Sequence, residues 1–156
     1  MKFEHLIQIN DPGNPLIESL TREQLWRGLM HRVEDPLPFL PGLESCTILE
    51  RRKSGIRREL DFGAARIQDQ VTYEEDLWVR FDIPAAETHA GGSLTITIEE
   101  PAKGHLFLRF AYQTTLAEAK FSEDAGYVEY VKSAYRESDV DTVRVIRTLA
   151  AGGRRH

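Results

Sequence analysis

Residues 122–153 read SEDAGYVEYVKSAYRESDVDTVRVIRTLAAGG, one long helix by their spacing. Ser122 is placed to cap it, and Glu123 and Asp124 suit the positive end of a helix dipole. Arg144 and Arg147 suit the other end, and Gly152 stops it. Tyr127, Val131, Tyr135, Ser138, Thr142, Ile146 and Leu149 form a stripe along one side. About 28 residues at ~1.5 Å each make a rod of roughly 40 Å, enough to cross a small sheet. The middle of the stripe is Ser138 and Thr142, small and polar. Such residues leave room and offer hydroxyls, as a ligand wall requires. A bulky neighbour such as Trp78 or Phe81 would instead fill that room. Asp139, at the edge of the stripe, reads as a solvated helix residue.

The chain before this helix supplies a sheet. Residues 2–10 alternate, with Phe3, His5, Ile7 and Ile9 on one side, and read as a first strand. DPGNP at 11–15 breaks it. A helix follows in SLTREQLWRGLMHRV, residues 19–33. Thr21 and Gln24 make a capping box, Leu20 and Leu25 a hydrophobic staple, and Leu25, Leu29 and Val33 an apolar stripe with Trp26 and Met30 beside it. DPLPFLPGL at 35–43 holds three prolines and carries neither helix nor central strand. Strands are expected near 45–52, 56–62, 66–75, 77–83, 93–100 and 105–114, joined by short breaks that favour antiparallel neighbours. An antiparallel sheet has one face to bury, and the long helix is the large element available to cover it.

The totals narrow the function classes. A chain of 156 residues fits one domain, here 1–150, with 151–156 as a flexible tail. The net charge of −5 argues against a nucleic-acid surface. The lone Cys46 excludes an internal disulfide and a CxxC motif, and a reducing cytoplasm is expected. No apolar run nears the ~20 residues of a membrane span, and the alternating N-terminus with Glu4 is unlike a signal peptide. No HExxH, HxH, P-loop, GxGxxG or GxSxG pattern occurs, so neither metal nor cofactor is expected.

Strand parity sorts the side chains. Leu106, Leu108, Phe110 and Tyr112 share a face, as do Leu94, Ile96 and Ile98, and these should point inward. Arg109 then falls outside, level with Thr97 or Thr95. Ile56, Arg58, Leu60 and Phe62 form another apolar face in which Arg58 is the odd member. Ile67, Asp69, Val71 and Tyr73 follow on the next strand, and a tight hairpin at 63–65 sets Arg58 opposite or diagonal to Asp69. Alternation leaves open whether that pair faces a cavity or solvent. His5 shares the inward side of Phe3 and Ile7; it is a cavity histidine or a satisfied core histidine.

With this element order the sequence resembles the START-like, or SRPBCC, superfamily of birch-pollen-allergen-like proteins and polyketide cyclases. FLPGLESCTIL at 39–49 is similar to the family's proline-glycine turn into its second strand. FEHLIQIN, GGSLTITIEEP and LFLRFAY resemble the AtaL-like branch. The resemblance implies an α+β helix-grip fold: a seven-stranded antiparallel sheet around a long C-terminal helix, with two short helices after the first strand. It also implies a cavity between sheet and helix for lipids, sterols, hormones or polyketides.

Two functions of different class follow. In the first, a small apolar or aromatic ligand lies between sheet and helix, against Trp26, Met30, Phe81, Phe110, Tyr112, Tyr135, Ser138 and Thr142. If it is an enzyme, cyclase- or dehydratase-like proton transfer would use Arg58, Asp69, Tyr73 or His5. In the second, the chain is a protein-interaction or chaperone co-factor module, acting through the proline-rich segment 35–42 and Phe107. An exposed edge strand leaves a homodimer open.

Overall fold

A computed structural model describes residues 2–85, 91–114 and 125–153, with side chains from 129 to 152 in the last segment. In chain order its elements are β1 (Lys2–Gln8), α1 (Arg22–Glu34), β2 (Ser45–Arg52), β3 (Gly55–Asp61), β4 (Arg66–Glu74), β5 (Trp78–Ile83), β6 (Gly92–Ala102), β7 (His105–Thr114) and α2 (Ala125–Gly153). The strands form one antiparallel sheet of seven in the order β1-β7-β6-β5-β4-β3-β2. Six are a meander, and β1 closes the far edge beside β7. This is the helix-grip α+β architecture. Among the described residues no helix is long and apolar enough to cross a membrane.

Two expectations need correction. Only α1, and not two short helices, follows β1 among the described residues. Pro12 and Pro15 hold the preceding segment in turns, where Asn14 N donates to Asp11 O and Asn14 Oδ1 accepts from Leu16 N. Residues 151–153 are not tail but the last turn of α2; the expected Ser122 cap and residues 154–156 lie outside the described residues.

Local chemistry explains the elements that frame the interior. Thr21 Oγ1 accepts from Gln24 N at 3.0 Å, and Gln24 Oε1 accepts from Thr21 N at 2.9 Å, closing the capping box of α1. Leu20 and Leu25, the staple, are both buried. Between β3 and β4, Phe62 N donates to Ala65 O and Gly63 N to Asp61 Oδ1. Gly63 takes φ +84°, which a side chain would resist. That turn sets the register in which Arg58 stands directly opposite Asp69.

The core fills the sheet's inner face. Leu94, Ile96 and Ile98 of β6 and Leu106, Leu108 and Phe110 of β7 are buried, each contributing roughly 1.5–3 kcal/mol by leaving water. Arg109 lies on the outer face opposite Thr97, its guanidinium donating to Glu99 at 2.5 Å and to Glu4 at 3.1 Å. Helix α2 packs on α1 and β1. A Cβ on Gly28 of α1 would come within 2.6 Å of Ile146 Cγ2, so the helices cross where α1 has no side chain.

Candidate functional site

A cavity of about 350 Å³ opens on the inner face of the sheet. Leu60, Phe62 and Ile67 of the β3–β4 hairpin wall one side, and Phe81, Ile83 and Leu94 of β5 and β6 the floor. Tyr112 of β7, Tyr135 of α2, Leu40 and the end of α1 complete it. The lining is mainly apolar, and its size falls in the range of small-molecule sites.

The polar end begins with Arg58 and Asp69, both about 2% exposed in their side chains. Arg58 Nε donates to Asp69 Oδ1 at 2.9 Å and Nη2 to Oδ2 at 2.5 Å, a bidentate pair. Arg58 Nη1 donates to Arg32 O at 3.1 Å and Val33 O at 2.9 Å. These carbonyls belong to the last turn of α1, where a cation meets the negative end of the dipole. Arg58 therefore ties β3, β4 and α1 together while it lines the cavity.

Arg32 also lines the cavity and is 7% exposed. Its Nη1 donates to Thr142 Oγ1 at 2.5 Å. Arg32 Cζ lies 5.3 Å and Arg58 Cζ 5.2 Å from the Phe81 ring centroid, so one aromatic ring faces two guanidinium groups. Burial pulls the Arg32 pKa below the ordinary arginine value, opposed by nearby Tyr112 and Asp139.

A third group joins the far side. Tyr112 Oη donates a short hydrogen bond to Asp139 Oδ1, and His5 Nδ1 lies 3.2 Å from Asp139 Oδ2. The Tyr112 ring stacks on Tyr135 with centroids 4.1 Å apart and planes within 8°. Burial lifts the Asp139 pKa from 3.8 to about 6, although hydrogen bonds from Tyr112 and His5 oppose the rise. Burial, with the Asp139 carboxylate beside it, pushes the Tyr112 phenol far above its ordinary value. His5 keeps 23% of its side chain exposed. The three residues thus form a chain from solvent, through a buried carboxyl group, to the cavity wall.

The candidates read from sequence divide accordingly. Arg58, Asp69, Phe81, Tyr112 and Tyr135 meet at the cavity. His5 stands behind its wall, reaching it through Asp139. Phe110 and Thr142 are fully buried outside the lining, Thr142 as the acceptor for Arg32. Trp26 packs on Tyr73, which is 43% exposed, and Met30 joins the main core; none of the three lines the cavity. Ser138 is half-buried and not in the lining. Tyr127 lies outside the described side chains, and His89 and His156 outside the described residues. Asp139, expected in solvent, has no exposure, because β1 and β7 present His5 and Tyr112 to it. Arg32 escapes the sequence reading as well; its place three residues after Leu29 and seven after Leu25 puts it beside the apolar stripe, a signal available in the sequence. Cys46 is half-buried, and burial raises its thiol pKa. Among the described residues no cluster of three His, Cys, Asp or Glu could hold a metal ion.

Residues 7–153 match the family model described as Acetylaranotin biosynthesis cluster protein L, AtaL. The chain belongs to the AtaL family. No curated protein sequence matches it. Solved structures share the fold at low identity. TTHA0849 from Thermus thermophilus is 16% identical with a TM-score of 0.63, covering 97% of this chain and 99% of that one. The di-domain ARO/CYC StfQ of the steffimycin biosynthetic pathway is 11% identical with a TM-score of 0.68, covering 99% of this AtaL-family chain and 52% of StfQ. The Zhui aromatase/cyclase from Streptomyces sp. R1128 is 13% identical with a TM-score of 0.59, covering 97% and 93%. The Aha1 dimer from Colwellia psychrerythraea has the same identity and TM-score, covering 94% and 96%. At these identities the likeness is one of fold, the SRPBCC-type helix-grip shared by aromatase/cyclases and Aha1.

Proposed function

We propose that this AtaL-family protein binds a small apolar or aromatic molecule in the cavity between sheet and α2, and transfers protons to it. The observation that carries the reading is a mainly apolar cavity of about 350 Å³ on whose wall Arg32, Asp69 and Tyr112 converge. The fold's occurrence in aromatase/cyclases agrees with it.

The chemistry is that of a cyclase or dehydratase. In a dehydration the ligand's Cα–H bond gives its proton to solvent water at the cavity mouth, and the C–O bond breaks as the hydroxyl takes a proton from Tyr112 and leaves as water. Protonated Asp139 can turn its own O–H toward Tyr112 Oη, and the phenol hydrogen is then free to pass to a carbonyl or leaving hydroxyl oxygen of the ligand. Asp139, with a pKa of about 6, exchanges a proton near neutrality and can resupply the phenol. His5 reloads Asp139 from solvent. The aromatic stack with Tyr135 holds the phenol in place.

Binding is tested by titrating N-phenyl-naphthylamine, an uncharged fluorescent probe, against the wild type and Ile67→Trp. Ile67 lines the cavity and is half-buried, so its replacement plugs the space without opening the core. Saturable binding that the plug weakens by more than roughly tenfold is expected; equal binding by the plugged protein sinks the cavity reading. Proton transfer is tested with a β-hydroxy ketone bearing a naphthyl ring, whose loss of water yields an absorbing enone. Acceleration should disappear in Tyr112→Phe and Asp139→Asn. No acceleration by the wild type would leave a binder alone.

The interaction-module reading has weaker physical support. Phe39 in the proline-rich segment is only 2% exposed, Leu40 closes the cavity, and Phe107 is half-buried.

A further inference from the structure

The buried charges at the polar end of the cavity do not balance pairwise. Arg58 has Asp69, held by two hydrogen bonds. Asp139 is engaged by Tyr112 and His5. Arg32 has no carboxylate within salt-bridge distance among the described residues; its bonded partner is the Thr142 hydroxyl. A guanidinium carries five N–H donors, and one donates to Thr142. A buried cation without a bonded anion is costly, and protein interiors ordinarily provide the partner. Phe81 offsets part of that cost through its ring face. A mainly apolar wall gains nothing from a buried cation by itself, so a guanidinium there favours an anion arriving with the ligand.

We infer that Arg32 is the recognition group for a carboxylate, so that the ligand is an aromatic or apolar carboxylic acid in its ionised form. This rests on the binding reading above and narrows its ligand class. The planar donor fork of Arg32 pairs with two oxygens of a carboxylate, while Leu60, Ile67 and Leu94 take the apolar body. Thr142 fixes the guanidinium from behind. Asp139, Asp69, Tyr112 and Arg58 are the other titratable groups in its field. Their layout puts the ligand's acid next to the Tyr112 phenol, where a proton can pass.

The test uses two probes of one shape, naphthoate and naphthamide, each displacing N-phenyl-naphthylamine at neutral pH. Wild type should prefer naphthoate by about tenfold or more, the discrimination expected of a charge-assisted hydrogen-bonded pair. Arg32→Met should bring that ratio near one, with the larger loss falling on naphthoate. Arg32→Lys should restore part of the preference. Thermal melts of both variants check that they fold; if Arg32→Met fails to fold, the ratio in Arg32→Lys, which keeps the charge but loses the fork, must still fall between wild type and one. Uncharged probe binding with no preference for the acid overturns the inference and leaves the cavity reading standing. Binding of no probe overturns both.

Discussion

Asp139 carries the most informative single charge in the protein. Its folded pKa of about 6 stands above the ordinary 3.8, because burial disfavours the carboxylate. Between those values the folded protein holds more protons than the unfolded chain. Stability must therefore fall as pH rises from about 4 through 6, and the loss is complete above that. Asp139→Asn keeps an acceptor for Tyr112 and removes the titration. Urea unfolding at about pH 4 and about pH 8 should show the wild type losing up to about 3 kcal/mol more than the variant over that span. Parallel pH profiles for the two proteins would contradict the buried, titrating carboxyl group. Arg58 makes a different case. It is 2% exposed and holds both Asp69 and two carbonyls of α1. Arg58→Met leaves Asp69 and those carbonyls without their donor, and should cost about 3–5 kcal/mol in chemical unfolding. The double variant Arg58→Met/Asp69→Leu should cost much less than the sum of the singles. A single-variant loss under about 1 kcal/mol would place the pair effectively in water.

The α1–α2 crossing works at the scale of elements. An exposed helical glycine replaced by alanine gains about 1 kcal/mol. At Gly28 the added Cβ would meet Ile146 Cγ2 at 2.6 Å and Cγ1 at 2.8 Å, both on a stiff β-branched side chain. Gly28→Ala should destabilise by about 1–3 kcal/mol. In an Ile146→Ala background the same change should stabilise, and a thermal melt of the four proteins reads the reversal. Elements such as these are legible in the sequence because each carries its own local signal. The Thr21–Gln24 box, the 63–65 turn and the alternation of β6 and β7 need no distant partner. The same alternation puts Arg109 outside and Tyr112 inside. The resemblance misleads where the residues do not: it implies two short helices after the first strand, whereas the DPGNP break holds turns and α1 alone follows β1 among the described residues.

At the scale of the whole molecule, the sheet, α1 and α2 bring together residues that no local pattern connects. Arg58 and Asp69 are eleven positions apart, and hairpin register is enough to pair them. His5 and Asp139 are 134 apart. A carboxylate beside a helical stripe defaults to solvent until a strand supplies its donors, so local spacing sends Asp139 to water and Ser138 to the cavity. The inward line instead runs through Tyr135, Asp139, Thr142 and Ile146, on the side of α2 that faces β1 and α1. Arg32 is hidden for a related reason: a charge beside an apolar stripe reads as helix surface unless the fold puts a cavity against it. The central claim is that this cavity is a ligand site. A crystal structure of the protein soaked with N-phenyl-naphthylamine tests it most directly. The probe's rings should lie among Leu60, Ile67 and Leu94, within contact of Tyr112. Density for the probe only on the outer surface, with side chains of the lining closed over the space, would contradict it.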